Sequence, residues 1–169
     1  MRTFLRSEHG SEVLEFTLVG IPLICILISI MGICITMWNY HTLAYAVREG
    51  ARYAATRGRG CASAGNSCGI TVADVANRIA AAGSGLVPNQ LNVTLRSTAG
   101  DVLCNPLSSC YKSLSTWPPS TANQPGSDIY VFGYYSPPTP LIVLIWPGAT
   151  AMQAGSIVLP ASTRQRILF

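Results

Sequence analysis

The hydrophobic pattern along the chain changes character twice. From Phe16 to Val47 there is no Asp, Glu, Lys or Arg, and Phe16–Trp38 (FTLVGIPLICILISIMGICITMW) consists mostly of Ile, Leu, Val, Met and Phe. Those 23 residues would form a helix of roughly 34 Å, enough to cross the hydrocarbon core of a bilayer. A secretory signal peptide is the obvious competitor, but its apolar region is only about 7–15 residues long and ends in a small-residue cleavage site. Here the run is longer and passes into Asn39-Tyr40-His41-Thr42, so a retained span is expected. No second span follows, because Leu141–Trp146 (LIVLIW) is short and bounded by Pro140 and Pro147. That run reads as a buried strand, a buried loop or a membrane-skimming segment.

After the span the apolar spacing becomes helical. Ala44, Val47, Ala51, Ala54 and Ala55 recur at helix intervals, so the helix is expected to outlast the membrane and end near Gly58 or Gly60. Gly50 costs about 1 kcal/mol in a helix interior without having to end it. A Gly/Ser/Cys loop (GRGCASAGNSCG) follows, then Thr71 as an N-cap with Asp74 three residues on, which is a helix-start signature. Val72, Val75, Ala76, Ile79 and Ala80 predict a one-sided amphipathic helix stopped by Gly83 or Gly85.

Beyond that helix the period falls to two. Leu91, Val93 and Leu95 alternate with Asn92, Thr94 and Arg96, and Ile129, Val131 and Gly133 alternate with Tyr130, Phe132 and Tyr134, predicting two half-buried strands. Residues 156–162 are a third candidate, assigned to an edge or bent strand because of Pro160. The Pro/Ser/Asn-rich stretch 105–127 reads as a long loop, functional or mobile. Helices first and strands later argue an α+β fold with an antiparallel sheet.

Composition sharpens this picture. The 169 residues are 49% hydrophobic and 11% charged, with a net charge of +4, which excludes a disordered or acidic chain. About 110 residues remain beyond Gly60, sufficient for one small domain. From position 48 on there are 9 basic and 4 acidic residues. Without basic residues interleaved with aromatics, that excess suits anionic headgroups or an acidic partner subunit rather than nucleic acid. The acids Glu49, Asp74, Asp101 and Asp128 are widely separated and the only histidines are His9 and His41, so no catalytic constellation is visible. Tyr130, Tyr134 and Tyr135 with Trp117 and Trp146 read either as sheet-core aromatics or as an adhesive, sugar-stacking surface.

Six cysteines form two sets. Cys25 and Cys34 lie in the span, where a thiol packs as a small apolar group. Cys61, Cys68, Cys104 and Cys110 flank soluble loops, and the simplest of three connectivities pairs them locally. Free thiols and zinc are the alternatives, but the C-x6-C and C-x5-C spacings and the lack of a following His fit a metal poorly. No metal and no cofactor is expected. Disulfides would put the C-terminal part outside the cytoplasm. The charge count points the other way, with Arg2 and Arg6 before the span and Arg48, Arg52, Arg57 and Arg59 after it. The cysteines carry more weight, because the arginine cluster begins about ten residues beyond the span.

Glu15 stands at the edge of the uncharged stretch, a place where a carboxylate is costly and tends to have a partner. Its context, His9-Gly10-Ser11-Glu12-Val13-Leu14-Glu15-Phe16, resembles the processing site of type IV-like pilins. In that family a membrane peptidase cuts after the glycine, and the fifth residue of the mature chain is glutamate. By that resemblance Gly10 is the last leader residue, Ser11 the new N-terminus, Glu15 the fifth position and Phe16 its aromatic neighbour. The further order of Pro22 in the span, Arg48-Glu49-Gly50-Ala51-Arg52-Tyr53-Ala54, an Ala-rich helix, Gly85-Leu86-Val87-Pro88, a strand and Ser162-Thr163-Arg164 resembles the TadE-like proteins of tight adherence (Tad/Flp) pilus systems. Glu8 and Glu12 make the leader less basic than is usual in that family, and Pro22 sits one residue further along.

The resemblance implies a non-enzymatic minor pilin or pseudopilin. Its partners would be membrane lipid, the prepilin peptidase, other pilin subunits and the Tad assembly platform, with no nucleic acid. Residues 1–10 are expected as leader, 11–58 as the N-terminal helix with its span at 16–38, and 59–169 as a small extracytoplasmic α+β domain. In that pilin-like domain a second helix packs on a short antiparallel sheet, and the chain sits single-pass in the bacterial inner membrane. The alternatives are an uncleaved single-pass envelope protein whose outer domain binds a partner and, in third place, a membrane-tethered enzyme.

Overall fold

The computed structural model describes residues 9–65, 67–137 and 158–169. The LIVLIW run and Trp146 lie outside the described residues. The elements run α1 (His9–Ala55), α2 (Val72–Ala82), β1 (Leu91–Ser97), β2 (Gly100–Cys104), β3 (Asp128–Tyr135) and β4 (Leu159–Arg166), with short 3-10 turns between them. The strands form one antiparallel sheet in the order β2-β1-β3-β4. The fold is α+β with a long apolar N-terminal helix, as expected from the sequence.

The chain divides into two compact units, and α1 up to Ile35 is the described part of the first. From Phe16 on its side chains are mostly apolar on every side, as in a helix meant for an apolar surround. From Val13 on it is long and apolar enough to cross a membrane, and it is almost entirely unburied. The hydroxyls of Thr17 and Ser29 donate to the carbonyls of Val13 and Cys25 at 2.7 and 2.8 Å. These polar groups are thereby satisfied within the helix, which an apolar environment requires.

The second unit contains α1 from Thr36 onward, α2 and the sheet. Here α1 buries Leu43, Ala46, Val47, Ala51, Ala54 and Ala55, the i, i+3, i+4 pattern of a one-sided helix. Two glycines let its neighbours come close. A Cβ on Gly133 of β3 would stand 2.7 Å from Val47 Cγ2 and 3.2 Å from Leu43 Cδ1, while a Cβ on Gly50 would collide with Ile79 of α2. The sheet contributes Leu91, Val93, Leu95, Ile129, Val131, Tyr135 and Leu159 to the same core, and α2 contributes Val72, Val75, Ala76 and Ile79. The capping box at α2 is complete: the Asp74 N–H donates to Thr71 Oγ1 at 3.2 Å and the Thr71 N–H to Asp74 Oδ2 at 2.8 Å. Gly83 closes the helix through its N–H to the Ile79 carbonyl.

Four features differ from the sequence expectation. α1 ends at Ala55, short of Gly58 and Gly60, because the chain's last segment meets it there. The Leu168 N–H donates to the Ala55 carbonyl at 3.1 Å, and a side chain at Gly58 would clash with Ile167 and Phe169. Strand β2 was not foreseen. It is a short edge strand whose Leu103 is 73% exposed, so its burial does not follow its hydrophobicity, and it returns from β1 through a tight turn ending at Gly100 (φ +138°). The last strand runs 159–166 rather than 156–162; as expected of a strand carrying proline it lies at the sheet edge, with Pro160 opposite Tyr134.

The stretch 105–127 is the fourth difference, because its middle is held onto α2. The N–H groups of Val72 and Ala73 donate to the Ser115 and Ser113 carbonyls, and the Trp117 N–H to the Ile70 carbonyl. Trp117 is fully buried, and covering an aromatic of that size stabilises by several kcal/mol, about 3–5 on truncation to Ala. Part of the segment expected to be a loop is therefore core.

Candidate functional site

Gly10 and Ser11 fall in the first turn of α1. Glu15 lies one helical turn beyond Ser11 in the chain, and Glu15 and Phe16 are both exposed, Phe16 at 80%. Gly10, Ser11 and Glu15 thus belong to one continuous helix. Among the described residues no ion pair involves Glu15. Pro22 sits inside the helix and has no N–H for the carbonyl of Leu18.

The Arg48–Ala54 segment shows why its residue types occur together. Gly50, Ala51 and Ala54 face the core, and Gly50 is where α1 and α2 approach. Glu49 reaches across to α2, accepting from Arg78 Nη2 at 2.6 Å and Nε at 3.2 Å. That hydrogen bond, with the Glu49 charge behind it, raises the Arg78 pKa above its usual value. Arg57 stacks over the Tyr53 ring at 3.8 Å. Arg48 and Arg52 instead flank a concavity of about 460 Å³ lined also by Tyr45, Thr56, Gln165 and Leu168. The sequence could not reveal the Glu49–Arg78 pair, whose members stand 29 positions apart, nor the reason for Gly50 and Gly133, which is close approach of distant elements.

The soluble cysteines stand in local pairs. Cys61 and Cys68 have Cα atoms 5.6 Å apart, Cys104 and Cys110 5.5 Å, and in both pairs the sulfurs are at disulfide distance. Cys25 and Cys34 are free, and nine helical positions place them on opposite sides of α1. Among the described residues no group of His, Cys, Asp and Glu could hold a metal ion.

The aromatic residues grouped from the sequence separate onto two faces. Trp117 and Tyr135 are core, whereas Tyr130 and Tyr134 lie with Phe132 on the outer face of β3. Tyr130 and Phe132 are nearly parallel with centroids 6.3 Å apart. Cross-strand register puts Tyr130 between Arg96 and Arg164, and these guanidinium groups lie 5.2 Å from the Phe132 ring and 5.7 Å from the Tyr130 ring, respectively. Each arginine is also held by a carboxylate: Arg96 Nη2 donates to Asp101 at 2.8 Å and Arg164 Nη2 to Asp128 at 2.6 Å. The Arg164 hydrogen bond holds the Asp128 carboxyl below its usual pKa, with the charges of Arg164 and Arg166 adding to it. The outer face is therefore an aromatic ladder in which Arg96 and Arg164 each hold a carboxylate.

No curated protein and no solved structure matches this chain. A family match falls on the helix that carries both the Gly10–Phe16 segment and the Arg48–Arg52 segment. Residues 10–52 match the family model of the TadE-like protein, and α1 from Gly10 through Arg52 is accordingly TadE-like.

Proposed function

We propose that the protein is a membrane-anchored minor pilin or pseudopilin of a Tad-type pilus system, a structural part of the assembly machinery rather than an enzyme. The observation that carries this reading is the TadE-like match starting at Gly10 and running through a helix that is exposed and apolar enough to span a bilayer. In this reading a prepilin peptidase cleaves after Gly10, removing residues 1–10 and leaving an ammonium group on Ser11 at the start of an apolar helix. The Glu15 carboxylate of a neighbouring subunit neutralises it when helices stagger. Two costly charges then become one pair that sets register, and loss of either partner is worse than loss of both. The α+β domain stands outside the cytoplasm, the chain waits single-pass in the inner membrane, and the pairs Cys61/Cys68 and Cys104/Cys110 are oxidised there.

N-terminal sequencing of the membrane-fraction protein tests the reading. A chain that starts at Ser11 supports it. One that still starts at Met1 in a host with an active prepilin peptidase sinks it in favour of an uncleaved envelope protein. Glu15→Ala is expected to insert normally and to lose pilus assembly, and unchanged assembly would remove Glu15 from the pairing role.

A further inference from the structure

Trp38, His41, Tyr45, Arg48 and Arg52 recur at intervals of three and four residues, so they lie along one side of α1, and all five are exposed. The order along this stripe is aromatic first and cationic last. Trp and Tyr are the residues that settle at a membrane–water boundary, and Arg is the one that meets headgroups beyond it. Arg48 stands ten residues past Trp38, about 15 Å along the axis. A long helical side chain leans back toward the helix N-terminus, here toward the apolar end, which shortens that distance.

Arg48 and Arg52 also differ from most arginines of the domain in what they touch. Arg78 is held by Glu49, Arg96 by Asp101, Arg164 and Arg166 by Asp128, and Arg57 by the Tyr53 ring. Among the described residues neither Arg48 nor Arg52 has a carboxylate partner. The Glu49 carboxylate, which lines the same concavity of about 460 Å³, is taken up by Arg78 at 2.6 Å. Two unneutralised guanidinium groups one turn apart, with the Tyr45 and Gln165 side chains at the same hollow, match a phosphate, which accepts paired N–H groups from arginine.

We infer that Arg48 and Arg52, with Tyr45 beside them, form a binding site for the phosphate of an anionic phospholipid headgroup in the leaflet on the C-terminal side of the span. The inference rests on α1 crossing a bilayer and not on the pilin assignment. Such a site would hold α1 at a fixed depth, because the phosphate layer is the one plane of the membrane that two arginines can grip.

The test is native mass spectrometry of the full-length protein released from micelles doped with equal amounts of phosphatidylglycerol and phosphatidylcholine. The wild type is expected to retain phosphatidylglycerol preferentially, and each of Arg48→Gln and Arg52→Gln to lower that preference about fivefold. Arg59→Gln, a change at an exposed arginine outside the hollow, is expected to leave the preference unchanged, and the Arg48→Lys, Arg52→Lys double variant to keep part of it. Equal retention of the two lipids by wild type overturns the site, as does an Arg59→Gln loss as large as that at Arg48. Adducts of added inorganic phosphate that vanish in the double Gln variant without any lipid preference overturn the lipid assignment. Weakened association with an acidic protein subunit in place of a lipid effect also overturns it. A chain that stays out of micelles overturns both the site and the membrane reading beneath it.

Discussion

Two stretches of the same helix treat hydrophobicity in opposite ways. Residues 13–35 carry large aliphatic and aromatic side chains, and nearly all of them are exposed. Residues 43–55 carry mainly alanines, one Leu and one Val on their apolar side, and these are fully buried. The greasier stretch is thus the more exposed one. A helix that is apolar all round needs an apolar solvent, whereas a helix that is apolar on one side needs a sheet. Small residues then win over large ones in the second stretch, because α2 and β3 approach closely at Gly50 and Gly133.

Paired substitutions in the two stretches would break or sharpen that contrast. Leu43→Ala is expected to cost the folded domain about 2–5 kcal/mol, a fall in Tm of about 4–8 °C for each kcal/mol in a domain of this size. Leu27→Ala should leave the same transition, followed by near-UV circular dichroism in detergent, where it was. Equal shifts would mean that the stability of the domain does not distinguish the two stretches.

A smaller effect is expected for Gly50→Val, about 1–3 kcal/mol from overpacking against Ile79. Gly20→Val should be neutral for the domain, since a Cβ there meets only Phe16 at an ordinary 3.9 Å. If the Gly20 and Gly50 variants unfold together, close helix–helix approach is not what selects glycine at position 50.

Smaller again is the cap of α2. Thr71→Ala should cost about 1 kcal/mol. The Asp74 pKa is lowered in the fold, first by the Thr71 backbone N–H and then by its hydroxyl. A depressed folded pKa means that its stabilisation is present above the unfolded carboxylate value, near 4, and is lost as pH falls through the lower folded value. Asp74→Asn should therefore flatten the acid limb of the stability profile, and an unchanged limb would assign it to other carboxylates. At the bottom of the scale, Arg96→Gln on the exposed sheet face should shift Tm by no more than the scatter of the measurement, because surface ion pairs are screened by water and salt.

Local signals made much of this fold legible. Thr71 and Asp74 announced α2, and Val72, Val75, Ala76 and Ile79 gave its buried side. The alternation at 91–95 and 129–133 marked the central strands with their faces assigned. The apolar run and the glycine five positions before Glu15 mark the end that matches the TadE-like family model, because charge is so scarce around it. β2 was missed because an edge strand with an exposed Leu103 carries no burial pattern to read. The end of α1 was misplaced because the stop comes from Leu168, more than a hundred residues away, rather than from Gly58 or Gly60. Trp117 and Tyr130 looked alike as aromatics, yet one is core and the other surface.

What the amino-acid sequence determined by itself is therefore local: where the apolar helix starts, which residues cap and line α2, which strand positions face inward, and that a carboxylate stands where carboxylates are costly. Each follows from a period, a cap or a desolvation penalty acting within a few residues. Only the tertiary structure decided which arginines are neutralised and which are not. Glu49 took Arg78, Asp101 took Arg96 and Asp128 took Arg164, and Arg48 and Arg52 were left beside an open hollow. Pairing of charges depends on distances across elements far apart in the chain, and no period along a sequence records those.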